Sequence, residues 1–164
     1  MKTHEEYMEL ALEEARKAEE IDEVPVGCVI ICDGEVISRG HNLKEQLNQA
    51  YAHAEMMAIQ KAAEVKGNWC LNDCDLYVTL EPCMMCTGII NLSRIRTVYY
   101  GTTDPKGGCL ETVIDLKKIN RLNHYPNIVG NILQKECGEI LTNYFRKKRE
   151  IIKEKKQKNK ANIQ

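Results

Sequence analysis

DLYVTLEPCMMCTGIINLS, Asp75 to Ser93, is the stretch that decides the architecture. DLYVTL mixes Leu, Tyr, Val and Thr as a largely buried strand does. Pro82 then suits the first position of a helix, where a missing N–H costs nothing. A strand that runs directly into a helix is half of a strand–helix–strand unit, which implies helices layered on a sheet. The same turn carries two thiols, Cys83 and Cys86. Packing alone gives no reason for them.

On the N-terminal side, AEMMAIQKAAEVKG (residues 54–67) has helical periodicity and a stop signal at Gly67. VPVGCVIICDGEVISRG (24–40) gives two β runs around Asp33-Gly34, a two-residue hairpin signal. Residues 3–20 repeat Tyr7, Met8, Ala11, Leu12, Ala15 and Ala18 at helical spacing. On the C-terminal side, IRTVYYG (95–101) reads as the next strand, 113–119 as a short helix and 127–129 as a β run. A long final helix is expected over about 133–155, with Pro82 opening the helix that holds the thiols. The expected fold is α/β, a three-layer α/β/α arrangement around a central mixed sheet of about five strands. The opening hairpin is what makes the sheet mixed.

A chain of 164 residues suits one domain, taken as residues 1–155, followed by a basic, disordered tail at 156–164. The first twenty residues are acidic and amphipathic, unlike a signal or transit peptide. No apolar run approaches the roughly 18 residues that span a bilayer. The placement expected is therefore cytoplasmic, with no membrane partner. In a reducing compartment eight cysteines are core residues or metal ligands rather than disulfides. Cys28 and Cys32, within VGCVIIC, read as core. The net charge of −1 hides a polarity. Residues 5–23 hold nine acidic side chains against Arg16 and Lys17, and residues 145–160 hold nine basic ones against Glu150 and Glu154. An anionic partner at the basic end is compatible with a neutral average.

Two thiols on the first turn of a helix favour the thiolate form and suit Zn²⁺, which prefers tetrahedral sulfur and nitrogen ligands. Cys70 and Cys74 would complete a four-cysteine site only if the intervening strand, about 20 Å long at roughly 3.3 Å per residue, doubled back. They read instead as buried thiols. HAE, His53-Ala54-Glu55, offers a better partner. Positions i and i+2 of a regular helix point about 200° apart, so His53 and Glu55 converge only if His53 lies at the helix mouth. One His and two Cys then leave a corner open for water, the layout of a catalytic zinc. The metal charge is balanced by two thiolates, and Glu55 is the carboxylate that can take the water's proton.

H-x-E followed by P-C-x-x-C is the signature of the zinc-dependent nucleobase deaminases. The likeness extends over DEVPVGCVII, GHN (40–42), AHAEMMAI (52–59), LYVTLEPCMMC, SRI (93–95), YGTTDPKGG (100–108) and NYFRKKR (143–149). Over residues 7–154 the chain resembles the bacterial tRNA adenosine deaminases. That resemblance implies a cytidine deaminase-like fold, a homodimer, and conversion of the wobble adenosine of a tRNA anticodon stem-loop to inosine. It implies one Zn²⁺ per chain on His53, Cys83 and Cys86, Glu55 as catalytic proton shuttle, Asn42 on the flipped base, and Asp104 near its sugar and backbone; Lys106 is a further expected RNA-binding residue. Independently of the family, Arg146 and Arg149 suit phosphates, and Tyr144 and Phe145 suit base stacking. The chain departs from the family at Ala50-Tyr51, before AHAE, and at Leu110-Glu111, after DPKGGC. Both bear on how the flanking nucleotides are gripped. The rival readings are a guanine or dCMP deaminase, to which a basic tail is of no use, and a non-catalytic zinc and RNA-binding module.

Overall fold

In the computed structural model, described for residues 1–163, a five-stranded sheet lies between two helical layers. The strands are β1 (Gly27–Cys32), β2 (Glu35–His41), β3 (Cys74–Leu80), β4 (Thr97–Thr102) and β5 (Asn127–Val129), in the order β2-β1-β3-β4-β5. β1 is antiparallel to both β2 and β3, while β3, β4 and β5 run parallel. Asp33 and Gly34 both have positive φ (49° and 79°), as a hairpin turn matched to strand twist requires.

The helices are α1 (His4–Glu20), the short α2 (Lys44–Leu47), α3 (Ala54–Lys66), α4 (Met84–Leu92) and α5 (Gln134–Ile163). α1 begins in a capping box: Thr3 Oγ1 accepts from the Glu6 amide, and the Glu6 carboxylate accepts from the Thr3 amide. The pleat sends alternate side chains to opposite faces. Val29, Ile31 and Tyr77 meet α1 and α5 through Tyr7, Met8, Ala11, Leu12 and Cys137. Cys28, Ile30, Cys32, Leu76 and Val78 meet α3 and α4 through Ala54, Ala58, Ile59 and Ile90.

Three elements differ from the sequence reading. α2 falls in what reads as a polar loop, its first amides held by the buried carboxylate of Glu23. Only a single 3₁₀ turn, Leu116–Lys118, forms where a short helix is expected at 113–119. α5 continues past Lys155 to Ile163, so residues 156–163 are helical rather than disordered. No Gly or Pro interrupts that stretch, and Glu154 sits four residues before Lys158, a favourable helical spacing.

Candidate metal centre

α3 and α4 begin at the same end of the sheet, which brings together residues thirty positions apart. His53 is the N-cap of α3 with extended backbone (φ −80°, ψ 159°), which the convergence of positions 53 and 55 requires. Cys83 is the N-cap of α4 (φ −74°, ψ 177°), so Pro82 precedes the cap instead of opening the helix. Cys83 and Cys86 thus occupy N-cap and N3, the pair that a capping box also brings into contact. No side-chain hydrogen bond caps this turn.

His53 Nδ1 lies 3.6 Å from Cys83 Sγ and 3.6 Å from Cys86 Sγ. A tetrahedral ion about 2.3 Å from sulfur and about 2.0 Å from nitrogen gives S···N edges of roughly 3.5 Å, so the three side chains fit zinc as they stand. The Cys86 thiol hydrogen bond, opposed by burial and aided by His53, draws Cys83 down to about 4. The same shared proton, with burial, pushes Cys86 up, and the hydrogen bond with Cys83 raises His53. Glu55 is 3 % exposed, and burial lifts its carboxyl to about 6.

A cleft of about 680 Å³ opens over these groups, lined by His53, Glu55 and Cys83 together with Asn42, Asp104, Tyr144 and Phe145. Asn42 is buried, its Nδ2 donating to the Val24 carbonyl and its Oδ1 accepting from the Lys44 amide. Each group keeps capacity for one more bond. Asp104 Oδ1 accepts from the amides of Lys106 and Gly107, fixing the DPKGG turn. Tyr144 turns inward and donates to Asp22, whereas Phe145, edge-on to it, stays 44 % exposed. Of this pair, then, Phe145 offers the free aromatic surface. Lys106, Arg146 and Arg149 are exposed and stand outside the cleft lining.

Two contributors are missed from the sequence. Lys148 lines the cleft and pairs with Asp22 at 2.8 Å, anchoring α5 beside it. Glu81 is 2 % exposed, and its Oε2 accepts from three successive amides, those of Leu110, Glu111 and Thr112. Its Oε1 accepts from the Asp104 amide and the Thr112 hydroxyl. The loop 104–112 is thereby tied to the turn that carries Cys83. The only sequence signal for this was a carboxylate placed just before Pro82, at the end of a buried strand.

A five-stranded mixed sheet between helices, with a His-Cys-Cys trio at two helix mouths, is the cytidine deaminase type of zinc-binding domain. The family described as cytidine and deoxycytidylate deaminase zinc-binding region matches residues 1–102. The tRNA-specific adenosine deaminase of Bacillus subtilis (strain 168) is 47 % identical over 150 residues, covering 92 % of this chain and 91 % of its own. A solved structure from work on A-to-I editing by tRNA:A34 deaminases is 46 % identical, with a TM-score of 0.80, covering 83 % of this chain and 99 % of that one. A guanine deaminase from Bacillus subtilis is 38 % identical, with a TM-score of 0.60, over 62 % of this chain and 66 % of that one. The chain belongs to the tRNA-specific adenosine deaminase family.

Proposed function

We propose that this chain hydrolyses the wobble adenosine of tRNA, position 34, to inosine, the reaction for which its relatives are named. The observation that carries this is the meeting of His53, Cys83 and Cys86 under a cleft that His53, Cys83 and the buried Glu55 line. His53 Nδ1 and the two sulfurs would hold one zinc ion per chain, which when bound acidifies water at neutral pH. Glu55 takes a proton from the attacking water, then delivers protons to the ring nitrogen beside C6 and to the departing amine. Adenosine and water become inosine and ammonia, with no covalent intermediate. The remaining valences of Asn42 hold the base, and Asp104 with Lys106 lies toward its sugar and backbone. An anticodon-loop base is already unstacked, so extruding it costs little.

Phe145 supplies the stacking face behind Tyr144, while Arg146 and Arg149 take phosphates. In this reading residues 1–155 form one catalytic domain, and the rest of α5 extends its RNA-facing arm. The protein works in the cytoplasm as a homodimer, for which exposed Met84 and Leu92 on α4 supply apolar surface. No helix among the described residues is long and apolar enough to cross a membrane.

The test is incubation of the purified chain with total tRNA and sequencing for inosine at the first anticodon position. Glu55→Ala is expected to retain zinc and lose inosine formation by a factor of about 10² or more. The likeness to a guanine deaminase favours a second reading, which ammonia release from free guanine but not from tRNA would establish. Zinc-loaded protein that binds tRNA and releases no ammonia would leave a binding module instead.

A further inference from the structure

Two thiols at the far end of the sheet also face a charged pair. Cys32 and Cys74 are direct partners in the antiparallel β1–β3 ladder. The Cys74 amide donates to the Leu71 carbonyl, and the Cys74 carbonyl accepts from the Arg96 amide on the β4 side. Neither group points at Cys32, so this is a non-hydrogen-bonded pair, the kind with Cα atoms only about 4.5 Å apart and side chains closest. Both side chains project from the face covered by α3 and α4.

Asp73 brings a carboxylate to them. Its Oδ2 lies 3.5 Å from Cys32 Sγ and its Oδ1 3.4 Å from Cys74 Sγ, and the three ligand groups lie within 4.8 Å of one another. An ion about 2.3 Å from each sulfur and gripped by both carboxylate oxygens at about 2.0–2.2 Å gives S···O separations of this order, one to each oxygen. Lys66, on the last turn of α3, pairs with Asp73 Oδ2 and sits 3.6 Å from Cys32 Sγ.

We propose that Cys32, Asp73 and Cys74 form a second binding site for a thiophilic divalent metal ion, zinc or one of like charge, with Lys66 as its charge-compensating neighbour. The charge balance favours this. With both thiols protonated, Asp73 and Lys66 cancel. Binding releases two thiol protons to solvent, and two thiolates, one carboxylate, a dication and the ammonium again sum to zero. The Asp73 and Lys66 side chains are 45 % and 25 % exposed, which gives the ion a path in, while Cys74 is fully buried. Cys70, which the sequence offers as the natural partner of Cys74, lies outside this group and is partly exposed. The site is about 20 Å from the deaminase centre along β3, so the two can be separated experimentally.

The test is a zinc count on the full chain by elemental mass spectrometry in a zinc-buffered reducing solution. The count should fall by one ion per chain in the double variant Cys32→Ser, Cys74→Ser, with inosine formation unchanged. Cobalt loading should show thiolate charge-transfer absorbance that drops by about half in the same variant. Lys66→Gln, which leaves all three ligands, should weaken the second ion about 10- to 100-fold. Equal counts in wild type and double variant would overturn the proposal, as would a Cys32–Cys74 disulfide in the zinc-equilibrated protein. If the double variant does not fold, Asp73→Asn replaces it. A zinc-binding curve identical to wild type in Asp73→Asn would then overturn the proposal.

Discussion

Glu81 carries more of the site than its position suggests. Burial alone would raise its carboxyl, but hydrogen bonds from Thr112, Glu111 and Asp104 outweigh that and lower it. A folded-state value below the unfolded one means its stabilisation is present above the ordinary carboxylate range near 4 and is lost as pH falls through the folded value. Glu81→Gln swaps an acceptor for an amide group facing backbone donors. It should cost about 1–3 kcal/mol and flatten the acid limb of a thermal-melt series between pH 7 and 3. Gly108 tests the same contact sterically: a Cβ there would come 2.4 Å from the Glu81 carboxyl. Gly108→Ala should therefore lower the melting temperature and slow deamination together, because both the loop and the Cys83 turn must shift.

At the scale of elements, helix beginnings do most of the positioning. α3 and α4 each start on a proposed metal-ligand residue, and α1 starts on a capping box. Thr3→Ala should cost about 1 kcal/mol in chemical denaturation without touching zinc content. α5 divides its labour. Tyr144 and Lys148 fasten it to Asp22, whereas residues 149–163 are exposed and include Lys153, Lys155, Lys156, Lys158 and Lys160. Removing residues 150–164 should leave the melting temperature unchanged and weaken tRNA binding. The slope of log affinity against log salt should become shallower by roughly 0.7–0.9 for each phosphate that is no longer neutralised. An unchanged slope would place the RNA surface elsewhere.

At the scale of the whole molecule, the proposed zinc would join two helix beginnings separated by thirty residues, so its removal should be felt in global stability. Chelation is expected to lower the melting temperature and abolish inosine formation, and added zinc to restore both. Much of this frame is legible in the sequence. The Asp33-Gly34 turn, the stop at Gly67 and the β run at 127–129 all rest on hydrogen bonds and side-chain periodicity within a few residues. Such signals are printed in consecutive letters. α2 was hidden because its amides are held by Glu23, some twenty residues upstream. The nest around Glu81, the seat of Lys148 on the cleft and the pairing of Cys32 with Cys74 depend on strand register and helix approach, which bring together residues between 23 and 126 positions apart. Local pattern therefore determined most of the elements, because turns and caps are short-range physics, and the zinc signature was legible as a motif. The cleft, its tether and the second thiol cluster were decided only when the sheet closed its ladder, because contact across a register has no counterpart in the order of the chain.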